Sequence, residues 1–121
     1  MQKPTLLQSF GKAFLGIYKM LKSERNFQIE VVALCINIFL IWFFALNLVE
    51  TSLIILSCFM VLAAEIFNTA IEKICDFIQP NFDHRIGFIK DISAGAVLLL
   101  SFAAIIVGIL VYHNYVIDFL N

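Results

Sequence analysis

Charge is scarce in this chain. Of its 121 residues, 14% are Asp, Glu, Lys or Arg and 62% are hydrophobic, whereas a soluble domain is about 25% charged and about 45–50% apolar. A domain this short leaves much of its surface exposed, so the apolar excess excludes an ordinary soluble core and points to the bilayer as solvent. A net charge of −1 excludes the strongly basic balance that a polyanionic partner such as nucleic acid selects. Glycine and proline are few, at five and two. No glycine-rich turn cradles a phosphate, and G-x-x-x-x-G-K-[ST], H-R-D and D-F-G are all absent, which excludes the standard nucleotide-binding folds. The three cysteines, Cys35, Cys58 and Cys75, are far apart in apolar runs without a C-x-x-C. That excludes a disulfide framework or zinc site and makes them small hydrophobes. His84 and His113 stand alone and are not read as metal ligands. The first thirty residues scatter basic groups among apolar ones, so no cleavable signal peptide is expected.

What is present is hydrophobic length. Residues 5–28 show helical periodicity, with Leu6, Phe10, Ala13, Phe14, Ile17 and Leu21 on one side and Lys12, Lys19 and Lys22 among the other positions. Such a basic amphipathic helix is expected to lie in the membrane interface. Three spans are predicted at 31–49, 53–78 and 92–112, each long enough to cross a hydrocarbon core about 30 Å thick. "ETS" (50–52) reads as a tight polar break, with Thr51 or Ser52 capping the next helix. "QPNFDHRIGF" (79–88) reads as the one substantial loop, with Pro80 stopping the helix and Gly87 relaxing the backbone. Tyr112 and Tyr115 read as an interfacial aromatic belt. All eight Lys and Arg precede the first span or flank the 79–88 loop, so the N-terminus and that loop are expected on the cytoplasmic side. The whole chain, 1–121, reads as one membrane-embedded all-α domain.

One stretch breaks the apolar pattern. "AEIFNTAIEKICD" and the residues around it hold Glu65, Asn68, Glu72 and Asp76. At about 100° per residue these four fall within a sector of about 80° that runs about 16 Å along a helix. A polar seam on an apolar helix must face protein, metal or water, because a carboxylate in hydrocarbon is costly. Interhelical hydrogen bonding, worth roughly 0.6–2 kcal/mol per group, would account for one such residue more readily than for four in register. Three carboxylates on one seam repel, and a magnesium ion carried by a nucleotide neutralises them naturally, since it prefers one or two protein carboxylates plus phosphate oxygens. Glu24 and Glu30 add acids at the same level, and Lys90 and Asp91 open the third span. The cytoplasmic interface thus collects acids for a metal and a lysine for phosphate.

"E-I-F-N-T-A-I-E-K-I-C-D" (65–76), "KDISAGAV" (90–97) and "SERNF" (23–27) together resemble the prokaryotic diacylglycerol kinase family, which includes undecaprenol kinases. The resemblance runs from Phe10 to Tyr112. It implies a homotrimer in the bacterial cytoplasmic (inner) membrane, each protomer with a surface helix and three spans, and active sites shared between subunits. By the same resemblance Glu65 is the general base, Asn68 organises the site, and Glu24 and Glu72 hold magnesium–ATP. Lys90 and Asp91 would hold the nucleotide phosphates, with Asp76 on the same seam. Lys12, Asn81 and Asp83 fall where the family has weaker nucleotide contacts. The "KDISAGAVLL" segment resembles the undecaprenol branch, whereas Glu30 resembles the diacylglycerol branch.

The expected reaction is transfer of the ATP γ-phosphoryl group to a lipid alcohol, diacylglycerol or undecaprenol, with Mg2+. Such transfer depends on positioning and charge neutralisation. Two rivals belong to other classes. A small ion- or proton-coupled transporter subunit would use the acidic seam but need no phosphate-binding lysine, and a scaffold would need neither.

Overall fold

The computed structural model describes residues 2–121. Four helices follow one another: α1 (Leu6–Ser23), α2 (Arg25–Phe43), α3 (Leu48–Ile78) and α4 (His84–Leu120). Of these, α2, α3 and α4 are long and apolar enough to cross a membrane. Side chains such as Trp42 and Leu99 are more than 70% exposed, with no polar face to meet water. The chain is a multi-pass membrane protein.

The helix predicted over 5–28 is two helices. Thr5 and Gln8 form a reciprocal capping box at the start of α1. The break falls at Glu24, whose backbone is extended (φ −105°, ψ 113°) and whose N–H donates to Met20 O. Gln28 Nε2 bridges the break to Leu21 O at 2.9 Å. Neither glycine nor proline marks this corner, so the sequence pattern ran through it, and the first span begins at Arg25 instead of residue 31.

The second correction concerns the turn between α2 and α3. Residues 50–52 are already helical, and the cap is Asn47, not Thr51 or Ser52. Asn47 Oδ1 accepts from Glu50 N at 2.8 Å while Glu50 Oε1 accepts from Asn47 N. The turn itself uses Ala45 at φ 51°, in the left-handed region. Alanine there costs roughly 1–2 kcal/mol, and a glycine at that position would have announced the turn.

The last loop is shorter than predicted. It ends at Asp83, which caps α4 by accepting from Arg85 N. Gly87 is therefore helical, and it relaxes no turn. α4 also continues eight residues past the predicted end of the span, to Leu120. Its final turns pack on the α2–α3 corner: Phe119 lies edge-on to Phe43 and Phe44. Tyr115 Oη donates to Glu50 Oε1, and Tyr112 Oη donates to Asn37 Oδ1 at 2.8 Å. The two tyrosines are interhelical donors, not a belt turned to lipid.

α3 and α4 form the most extensively packed pair, an antiparallel hairpin. Lys90 meets Asp76 at its tip end and Tyr115 meets Glu50 at the other, about 38 Å apart along the axes. α2 is shorter and covers only the lower part. A small core of Met20, Phe27 and Leu62 fixes the α1–α2 junction against the middle of α3. Met20 is the only buried residue of α1, and its apolar Leu7 and Phe14 touch nothing else in the chain to any depth (83% and 68% exposed). The molecule is therefore stepped. Beyond Glu65, α3 rises a further 20 Å or so above the level at which α2 begins.

Candidate active site at the helical step

The buried stripe of α3 changes character along its length. Ile54, Val61 and Leu62 make it apolar in the first half, whereas Glu65 and Thr69 are the buried residues that continue it. The i, i+3/i+4 spacing that would ordinarily carry a core carries an acid and a hydroxyl instead. Glu65 is 6% exposed, and its carboxylate makes no hydrogen bond within the described residues. It stands one turn beyond Leu62, so the Met20–Phe27–Leu62 core brings the Glu24 corner to its level. Glu30, Glu72 and Glu24 are the carboxylates near enough for their charges to act on Glu65.

Asn68 Nδ2 donates to Glu72 Oε1 at 3.2 Å along the same helix. Asn68 Oδ1 is buried and has no partner among the described residues. Lys90 reaches across from α4, its Nζ 2.5 Å from Asp76 Oδ1. Of the seam, then, only Asp76 spends its side chain on holding two helices together. Glu65 and Glu72 are not interhelical glue. The burial of Glu65 is left without a structural return.

The remaining predicted residues are placed as follows. Asp91 is exposed at the start of the apolar part of α4, and Asn81 is exposed in the loop. Asp83 is engaged by Arg85 through two side-chain nitrogens, Nε and Nη2, and the backbone N–H. The guanidinium, then the backbone N–H, hold its carboxyl down to about 2, below the usual 3.8. Lys12 lies in a shallow groove formed only by the first fifteen residues, with Gln8 and Leu15 beside it. The fold does not bring Lys12 to the acidic cluster within this chain. Glu30 lines an interhelical cavity of about 300 Å³ with Asn37, Cys58 and Ser101.

Two buried polar residues beside the seam escaped the sequence reading. Thr69 was legible, because it lies four residues after Glu65 on the same face. Ser93 was not, since only the register of α4 against α3 carries it to this level. No three His, Cys, Asp or Glu among the described residues converge on one point as a metal site.

Comparison with known proteins identifies the family. The model of the prokaryotic diacylglycerol kinase family matches residues 11–112. The chain belongs to that family. A diacylglycerol kinase of Synechocystis sp. is 34% identical over 106 residues, 87% of this chain and 61% of that protein. The chain thus spans about three-fifths of that relative's length. The undecaprenol kinase of Bacillus subtilis is 31% identical over 105 residues, 87% of this chain and 85% of that protein. The diacylglycerol kinase of Escherichia coli K12 is 27% identical over 101 residues. The names of these relatives are those of lipid kinases, and both kinds of lipid alcohol occur in them.

Proposed function

We propose that this protein transfers the γ-phosphoryl group of ATP to the hydroxyl of a membrane lipid alcohol, diacylglycerol or undecaprenol. The observation that carries this reading is Glu65: a buried glutamate whose carboxylate makes no hydrogen bond among the described residues, at the level where the shortest span ends and the hairpin continues. A general base must be within reach of the proton that it takes, and this is the level at which a lipid hydroxyl presents itself. Glu72 stands about 10 Å farther up the helix, toward the side from which a nucleotide arrives. Asn68 lies between them and holds one oxygen of Glu72.

The donor set suits magnesium carried by ATP. Glu24 and Glu72 are both partly exposed, and this ion takes one or two carboxylates and completes its shell with phosphate oxygens and water. When bound, it supplies positive charge to the transferring phosphoryl group. Lys90 supplies a second, mobile positive charge from α4, and Asp76 keeps its ammonium parked at the tip side of the seam. Glu65 accepts the lipid hydroxyl proton as the oxygen attacks in line.

In this reading α1 lies in the interface of the bacterial cytoplasmic membrane with Leu7 and Phe14 downward, and the N-terminus and hairpin tip face the cytoplasm. The protein works as a homotrimer in which neighbouring copies share sites. Such sharing would bring a neighbour's Lys12 to the acidic cluster that Lys12 of the same chain does not reach.

The deciding experiment incubates the purified protein in mixed micelles with labelled ATP and Mg2+ and, separately, diacylglycerol or undecaprenol. Label is expected in at least one lipid. A folded preparation that labels neither overturns the reading.

A further inference from the structure

Asn68 has one end of its amide engaged and the other idle. Its Nδ2 donates to Glu72 Oε1, and because a carboxylate only accepts, that contact fixes which way the amide points. Oδ1 is thereby turned away from the seam, and it is buried without a donor. Buried amide oxygens are rarely left so, and the omission is costly.

The supply of donors around it is small. Asn68 lines a groove of about 370 Å³ between α3 and α4, walled by Ala63, Ala64, Phe67, Ile71 and Ala96 among others. Apart from Asn68, one polar side chain lines this groove, Ser93. Ser93 is itself buried, at 9% exposure, and its hydroxyl donates to nothing among the described residues. The antiparallel register that sets Lys90 against Asp76 sets Ser93 about one turn lower, near the level of Glu72 and roughly 6–7 Å along the axis from Asn68. A buried acceptor lacks a donor, and the one other polar side chain in the same groove makes no hydrogen bond among the described residues.

We propose that Ser93 is a positioning residue: its hydroxyl donates to Asn68 Oδ1, directly or through one water held in the groove, and locks the amide that orients Glu72. The groove is roomy enough for that water. Ser93 touches neither substrate. It acts through Asn68 on the carboxylate that meets magnesium–ATP, and so this inference rests on the functional reading above.

Two measurements test it. The first is a thermal-unfolding cycle in detergent with Ser93→Ala, Asn68→Ala and the double variant. The midpoint loss caused by Ser93→Ala is expected to vanish largely in the Asn68→Ala background; additive losses overturn the contact. The second is steady-state kinetics. Ser93→Ala is expected to raise the KM for Mg–ATP roughly three- to tenfold, the effect of one hydrogen bond, with the lipid KM unchanged and Ser93→Thr close to the parent. An unchanged KM for Mg–ATP overturns the positioning role. A parent protein that phosphorylates no lipid defeats the functional reading instead, and the unfolding cycle still decides the contact.

Discussion

Lys90 Nζ sits 2.5 Å from Asp76 Oδ1, joining α4 to α3 fourteen residues apart across the hairpin tip. Both side chains are open to solvent, at 36% and 63% exposure. An exposed pair of this kind contributes little to stability, so its value lies in where it keeps the ammonium. Lys90→Met is expected to cut turnover by about a hundredfold or more and to move the unfolding midpoint hardly at all. Parallel activity and thermal-melt measurements on one preparation check this; a collapse of the fold would assign the pair a structural role.

The seam divides labour by depth. Glu65→Gln is expected to abolish phosphoryl transfer while leaving Mg–ATP affinity within about twofold, since an amide cannot take the hydroxyl proton. Glu72→Gln is expected to weaken Mg–ATP binding itself by tenfold or more, as a lost metal carboxylate would. Equilibrium binding of nucleotide to each variant separates the two. Equal losses of nucleotide affinity would show that the two acids share one task.

At the opposite end of the hairpin, stability and activity are expected to part company. Asn47→Ala removes half of the Asn47–Glu50 capping box and is expected to cost about 1 kcal/mol. Glu50 also holds Tyr115, so the last turn of α4 should loosen with it. Turnover at saturating substrate should stay near the parent value. Denaturant unfolding in micelles with a matched kinase assay measures both.

Asp83 supplies a pH signature. Arg85 stabilises its charged form and holds it at about 2 in the folded protein, below the 3.8 of a free aspartate. A depressed carboxyl contributes stability above its unfolded pKa and loses it as pH falls through the folded value. The α4 cap should therefore weaken between about pH 4 and pH 2. Following the Asp83 carboxyl carbon by NMR, the midpoint is expected near 2 in the parent and back toward 3.8 in Arg85→Met. A midpoint unmoved by that substitution would assign the depression to the backbone alone.

The number of long apolar helices and the polar seam were legible because both are periodic. Helical spacing alone puts Glu65, Asn68 and Glu72 in one sector. The corners were harder. Glu24 bends the chain with no glycine or proline, and Ala45 turns it in a conformation that glycine or asparagine normally signals. Asn47-x-x-Glu50 was a readable capping box, overlooked because apolar residues continue through Leu48 and Val49. The length of α4 and the roles of Tyr112, Tyr115 and Ser93 depend on what lies opposite each residue. Register is a property of two helices, and one helix's periodicity does not contain it.

Glu24 does its structural work with its main chain. Its extended backbone makes the corner and its N–H closes α1, while its carboxylate caps neither helix and meets only Ser23 Oγ at 3.4 Å. Shape and charge at this residue are thus separable properties. A set of substitutions here sorts into those that keep the bend and those that keep the acid. Because a partly exposed corner whose side chain caps neither helix accepts many side chains, a saturation survey at this one position would read out the requirement for negative charge with a small contribution from folding.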